Sequence, residues 1–119
     1  FISVHAPLNA YTENLFTLDA FKKMKNTAIF INVARGALVN EQDLYTALTT
    51  DEIAGAALDV LCREPMDPEN PLLKIQDSTR LLITPHIAWA AKETRFRVIE
   101  EVVQNIRRFQ RGDTVNRVY

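Results

Sequence analysis

Thr27-Ala28-Ile29-Phe30-Ile31-Asn32-Val33, followed at once by Ala34-Arg35-Gly36, is the stretch on which the fold turns. It is apolar and β-branched almost throughout, the pattern of a parallel strand covered on both faces by helices. Gly36 marks its end. On its N-terminal side, Phe1 to Val4 is a second short, β-rich apolar run. It closes at His5-Ala6-Pro7-Leu8 and reads as a buried strand followed by a turn. Asn9 to Phe16 is polar enough for a loop or a single helical turn. Thr17 is placed to cap a helix with Asp19 in its first turn, Leu18, Phe21 and Met24 on one face, and Lys22, Lys23 and Lys25 at its end.

On the C-terminal side, Asn40 caps a predicted helix running to about Thr49, with Asp43 at the third helical position and Leu44, Ala47 and Leu48 facing inward. Ile53 to Val60 is a third strand, rich in small residues that let a helix approach. Cys62 to Leu73 carries Pro65, Pro68 and Pro71 and reads as a stiffened loop rather than a helix. Leu81 to Thr84 is a fourth strand, stopped by Pro85. Ala90 to Arg111 forms the longest helix, with an apolar stripe of Phe96, Ile99, Val102, Val103, Ile106 and Phe109, and Gly112 ends it. Thr114 to Tyr119 is expected to add a final extended piece.

Alternating strands and helices predict a parallel sheet with right-handed crossovers. The fold class is α/β: the second half of a Rossmann-like doubly wound sheet, ending in a long C-terminal helix. Residues 1–90 are expected to form the later part of a dinucleotide-binding domain, and residues 91–119 to lead toward a substrate domain. No Gly-x-Gly-x-x-Gly phosphate turn occurs, the glycines being Gly36, Gly55 and Gly112. The chain opens inside a strand without an initiator methionine and reads as the later part of a longer protein.

A length of 119 residues allows one domain or part of a larger one. The formal net charge is −1, and no basic cluster exceeds Lys22-Lys23 or Arg107-Arg108, which argues against a nucleic-acid or anionic-membrane surface. A single cysteine, Cys62, rules out an internal disulfide framework and fits a reducing, cytoplasmic compartment. Cys62 and 2 histidines are too few soft ligands for a familiar metal site. No signal-peptide pattern is present, and no apolar run approaches the roughly 20 residues of a membrane span.

The carboxyl ends of the predicted strands deliver His5, then Arg35, then Asp59 with Glu64 on the following loop, then His86. In a parallel sheet these ends share one rim, the edge where ligands sit in open α/β folds. A histidine exchanges a proton near neutrality. A carboxylate beside it fixes its tautomer and favours the imidazolium. Glu64 precedes Pro65, which holds its backbone extended. An arginine grips a carboxylate with two parallel hydrogen bonds, and Gly36 beside Arg35 leaves room for a sharp turn and a close ligand. Proton donor, orienting carboxylate and carboxylate clamp are the parts needed to reduce a 2-oxo acid, with the hydride drawn from a dinucleotide.

His5-Ala6-Pro7-Leu8, Ile31-Asn32-Val33-Ala34-Arg35-Gly36-Ala37-Leu38-Val39, Leu58-Asp59-Val60 with Glu64-Pro65, and Thr84-Pro85-His86-Ile87-Ala88 together resemble, in order and spacing, the C-terminal half of the D-isomer-specific 2-hydroxyacid dehydrogenases. The resemblance implies that Arg35 binds the substrate carboxylate and helps polarise its carbonyl, that His86 is the general acid/base, and that Glu64 is its partner. It implies NAD or NADP as cofactor, with Asp59, the backbone around Val33 and Ala34, and the neighbouring Arg35 and His86 at the nicotinamide end. The turn holding His5 and Pro7 is implied on the adenosine side.

Ile87-Ala88-Trp89-Ala90 is similar to glycerate dehydrogenases, also called hydroxypyruvate reductases, although Trp89 reads equally as a core or interface aromatic. Phosphoglycerate dehydrogenases usually carry a glycine-alanine-serine-threonine-like run there. Glu64 speaks against formate dehydrogenases, which use glutamine as the histidine's partner. The implied activity is hydride transfer between NAD(P)(H) and a small 2-hydroxy or 2-oxo acid, D-glycerate/hydroxypyruvate or glyoxylate, in a full-length homodimer. The alternative is a non-catalytic, corepressor-like dinucleotide-binding module of the same fold. Without a phosphate cradle, these 119 residues alone are expected to bind NAD(H) weakly or not at all and to turn nothing over.

Overall fold

The computed structural model describes residues 1–116. They divide into two compact units, Phe1–His86 and a second beginning at Ile87. The first holds a sheet of β1 (Ile2–Val4), β2 (Ile29–Asn32), β3 (Gly55–Leu58) and β4 (Leu81–Ile83). The strands lie side by side in the order β1-β2-β3-β4, and every pair is parallel. Parallel neighbours cannot be joined by a tight hairpin, so each link must cross over outside the sheet. The first two links carry α1 (Leu18–Phe21) and α2 (Glu41–Thr49). This is the expected half of a doubly wound sheet.

The strands are shorter than their apolar runs, because a residue joins the ladder only where a neighbour lies opposite, and β1 and β4 have 3 residues each. Pairing nevertheless reaches one residue past the carboxyl ends. Asp59 N–H donates to the Asn32 carbonyl and Thr84 N–H to the Leu58 carbonyl, both at 2.9 Å. The strand exits that carry the candidate residues are therefore held in register.

Phe30 of β2 is fully buried. Its ring meets Phe21 edge-on at 5.2 Å and Phe16 at 4.9 Å, and one cluster joins these rings to Leu44, Ala47 and Leu48 of α2. The expectation that both faces of β2 are covered holds only in part. Phe30 and Asn32 are buried, whereas the alternate residues Ile29 and Ile31 are half-buried. At Gly55 the close neighbour is not a helix: an added Cβ would lie 3.1 Å from the Arg80 carbonyl, where the chain enters β4.

Helix termini bring two corrections. The Thr17 side chain makes no cap hydrogen bond to α1. The N–H of Leu18 instead donates to Asp43 Oδ2 at 2.9 Å, while Asn40 Oδ1 accepts the N–H of Asp43 at 3.0 Å. Asp43 thus ties one helix start to the other, and the partner of Leu18 is remote in sequence. The loop predicted over 62–73 contains a 3-10 helix at Pro71–Lys74, where Asn70 Oδ1 accepts the Leu72 N–H at 2.9 Å. Proline is tolerated at a first helical position because its missing N–H would have no partner there.

The second unit is built on α3 (Lys92–Arg111), closed by Gly112 at φ 80°, the left-handed conformation that suits glycine. Its stripe of Phe96, Ile99, Val102, Ile106 and Phe109 is exposed. Of the extended piece expected over 114–119, residues 115–116 form a turn and residues 117–119 lie outside the described residues. Among the described residues no helix is long and apolar enough to cross a membrane.

Phe30→Ala should lower the unfolding free energy by about 3–5 kcal/mol, the usual cost of emptying a buried phenylalanine site. Urea denaturation of the intact protein checks this, and a loss below about 1 kcal/mol would place the core elsewhere.

Candidate active site at the carboxyl edge of the sheet

Two strand exits meet at a carboxylate–histidine pair. The segment after β3 carries Glu64 and the segment after β4 carries His86, and Glu64 Oε2 lies 2.8 Å from His86 Nδ1. The other carboxylate oxygen, Oε1, accepts the N–H of Leu61 at 2.9 Å. Both oxygens of Glu64 are therefore engaged, one by backbone and one by the ring. The side chains are 43% exposed for His86 and 39% for Glu64, so the pair stands at the surface of a cavity and not in the core. His86 has φ 55°, a left-handed backbone that few non-glycine residues adopt and that costs roughly 1–2 kcal/mol. Such outliers cluster at functional sites.

The same cavity, about 580 Å³, is walled by Leu61, Pro65, Met66 and Ile83 and reaches Asp59 and Thr84. Asp59 is only 5% exposed. The Thr84 hydroxyl donates to its Oδ1 at 2.5 Å, which keeps a buried carboxylate in a defined orientation.

Arg35 leaves β2 through a turn organised by Asn32. Asn32 is fully buried. Its Nδ2 donates to the Arg35 carbonyl at 2.9 Å, and its Oδ1 accepts the Ala34 N–H at 3.0 Å. The Arg35 side chain is exposed, with Nη1 donating to the Ala34 carbonyl at 2.7 Å. Arg35 and Ala34 line a second cavity of about 610 Å³ with His5, Pro7 and their neighbours in that turn. His5 Nε2 pairs with the Ser3 hydroxyl at 2.8 Å. Val33 is exposed at the same strand exit.

The structure thus joins Glu64 to His86, sets Asp59 in their cavity, and places Arg35 with His5 and Pro7 in the other. Arg35 and His86 follow β2 and β4, which β3 separates. At ~4.8 Å per strand spacing, those exits stand roughly 10 Å apart. Gly36 serves a purpose other than ligand approach. An added Cβ would lie 1.9 Å from the Leu61 carbonyl carbon and 2.4 Å from the Cys62 nitrogen, so Gly36 is the floor on which the Glu64 segment rests.

Over residues 1–88 the chain matches the family described as D-isomer specific 2-hydroxyacid dehydrogenase, NAD binding domain. The chain belongs to this family. It is 42% identical over 113 residues to a glyoxylate reductase of Korarchaeum cryptofilum, covering 95% of this chain and 33% of that protein. It is likewise 42% identical over 115 residues to a hydroxypyruvate reductase of Blautia hydrogenotrophica, covering 97% of this chain and 35% of that protein. A D-isomer specific 2-hydroxyacid dehydrogenase from Xanthobacter autotrophicus Py2, solved with NADPH and MES, superimposes with a TM-score of 0.79 at 36% identity, covering 98% of this chain and 47% of the other. The chain spans about a third of the length of the first two relatives.

The residues of this dehydrogenase domain suit the nicotinamide end of a dinucleotide. Apolar walls beside a buried, oriented carboxylate, that of Asp59, match in chemistry the flat ring and polar edge of a nicotinamide. The pyrophosphate end has no Gly-x-Gly-x-x-Gly cradle within these residues. Among the described residues, no group of three or more His, Cys, Asp or Glu could hold a metal ion. The sequence pattern assigns no role to Asn32 or Thr84, which hold the Arg35 turn and the Asp59 carboxylate. A polar Asn inside an apolar strand was the available signal, because a buried amide must find partners.

Glu64's carboxyl is held below its ordinary 4.5, first by the His86 hydrogen bond and then by the Leu61 N–H. A carboxylate whose pKa is depressed by folding stabilises the native state above its unfolded pKa, and that contribution is lost as pH falls through the folded value. Lowering the pH through and below 4.5 should therefore erode the stability of the wild type more steeply than that of Glu64→Gln. Urea denaturation across that range checks this, and parallel curves would remove the linkage.

Proposed function

We propose that this protein is an NAD(P)-dependent reductase of small 2-oxo acids, acting on hydroxypyruvate or glyoxylate and, in reverse, on D-glycerate. The observation that carries the reading is the Glu64–His86 pair at 2.8 Å on the carboxyl edge of a parallel sheet. The hydroxypyruvate reductase and glyoxylate reductase relatives support the substrate class, and the NADPH-bound dehydrogenase supports the cofactor class.

In this reading Glu64 accepts a hydrogen bond from His86 Nδ1–H, which leaves Nε2 as the nitrogen that faces substrate and favours the imidazolium that carries the transferable proton there. A nicotinamide dinucleotide, when bound, would supply the hydride for the substrate's carbonyl carbon. His86 Nε2 gives its proton to the carbonyl oxygen as negative charge develops there, and a hydroxyl results. In the reverse direction the neutral ring takes that proton back. Arg35, whose strand exit lies roughly 10 Å across the rim by strand spacing, anchors the substrate's carboxylate. Asp59 and the Val33-Ala34 backbone hold the nicotinamide end, and the turn with His5 and Pro7 takes the adenosine side. Residues 1–90 then serve as the dinucleotide-binding part, and residues 91–119 lead toward a substrate-binding domain. A cytoplasmic homodimer completes the proposal.

His86→Gln should lower kcat with hydroxypyruvate by roughly 10²–10⁴ in the intact protein. Arg35→Ala should raise the KM for the 2-oxo acid, because a bidentate anchor is lost. Steady-state kinetics over a panel of 2-oxo acids measures both. Wild-type turnover in His86→Gln would overturn the role of His86. Absence of turnover on the whole panel would favour the non-catalytic module.

A further inference from the structure

Glu64 can orient His86 only if the backbone carrying it is held still. That backbone is surface loop, exposed from Cys62 to Pro65. Loops of this kind are ordinarily mobile. Here one side chain from another element grips it. Glu41, the first residue of α2, places Oε1 on the N–H of Cys62 at 2.8 Å and Oε2 on Nδ2 of Asn70 at 2.7 Å. Asn70 is itself buried and caps Leu72. One carboxylate therefore ties both ends of the 62–70 segment to the start of a helix whose N-terminus favours negative charge.

Two adjacent amides make the connection to the site. The Cys62 N–H points to Glu41 and the Leu61 N–H points to Glu64 Oε1. The Leu61–Cys62 peptide also rests on Gly36, which leaves it no room to shift inward. The Leu61 N–H lies in the preceding peptide unit, so a Leu61–Cys62 peptide held by Glu41 and Gly36 restrains one end of the residue whose N–H engages one oxygen of Glu64, while the other oxygen meets His86. Cys62 is exposed as a residue, but its thiol is tucked partly inward, where it donates to the Val39 carbonyl at 3.4 Å, and that partial burial and then the charge of Glu41 push it up to about 11. It therefore serves as a further anchor of the same peptide.

We propose that Glu41, with Asn70, is the positioning residue for the Glu64–His86 pair. It acts through the Leu61–Cys62 backbone and touches neither substrate nor cofactor. The proposal rests on the reading of Glu64 and His86 as the proton-transfer pair, but its geometry can be tested without turnover.

The test uses Glu41→Ala, Glu41→Gln, Asn70→Ala and the double variant Glu41→Gln/Asn70→Asp in the intact protein. Glutamine at 41 can still accept from the Cys62 N–H but would set its NH2 against the NH2 of Asn70. Aspartate at 70 restores a donor–acceptor pair and leaves the net charge as in the wild type. The expected result is a roughly 10- to 100-fold lower kcat in the single variants, as for slight misplacement of a catalytic group, with the KM for the cofactor unmoved. The double variant should recover most of the loss.

Nitrogen NMR of the His86 ring gives the second readout. The Nδ1 signal of Glu41→Ala should move toward that of Glu64→Ala and return in the double variant. If Glu41→Ala does not fold, Glu41→Gln against the double variant decides. Wild-type kcat and ring signals in the single variants would overturn the proposal, as would a double variant no better than Glu41→Gln. A wild type that reduces no 2-oxo acid, with the ring signals still responding to Glu41 and recovering in the double variant, would sink the catalytic reading and leave the positioning role standing.

Discussion

All four strands run the same way, and this parallel constraint governs everything at the site. Parallel strands end on one edge, so whatever follows each of them is delivered to a common rim. Because the ladder continues one residue past the strand ends, through Asp59 to Asn32 and Thr84 to Leu58, the exits are aligned as well as adjacent. Side chains on separate loops then acquire defined spacing. His86 and Glu64 leave neighbouring strands and meet, whereas Arg35 leaves a strand one further away and lines a separate cavity.

Each of those side chains depends on a second layer of polar groups. Asn32 braces the turn of Arg35, Thr84 braces Asp59, and Glu41 with Gly36 braces the segment of Glu64. The bracing groups are more buried than the residues they serve where burial is most complete, at Asn32 and Asn70. A buried amide is costly unless every partner is made, and once made the arrangement resists distortion. Asn32 and Asn70 thereby lend rigidity to exposed side chains nearby, while Thr84 and Glu41 act from half-buried positions. The match to the 2-hydroxyacid dehydrogenase domain ends at residue 88, just past His86, so all of these groups fall inside it.

Much of the fold was legible from residues near each other in the chain. The apolar run ending at Val33, the Asn40 cap with Asp43 three residues on, and the Gly112 stop are local chemistry; the cap and the stop stand where the pattern put them, and the run holds a shorter strand, Ile29–Asn32. Arg35, Glu64 and His86 each follow the carboxyl end of a strand, where the strand pattern placed them. Less legible were the partners of helix starts. Thr17 looked like a cap, yet the N–H of Leu18 is satisfied by Asp43 from 25 residues away. The short helix at Pro71–Lys74 was hidden because proline in a loop and proline at a first helical position look alike in sequence.

By itself the sequence determined the four strands of the sheet, the longer helices and the chemical groups that follow the strands, because apolar periodicity acts over a few residues. Only the tertiary structure decided who touches whom. It paired Glu64 with His86, set Arg35 in a separate cavity, gave Gly36 the task of seating Leu61, and handed Glu41 the loop that Glu64 rides on. Those contacts depend on strand order and crossover packing, and such long-range placement is not encoded in any short stretch of the chain.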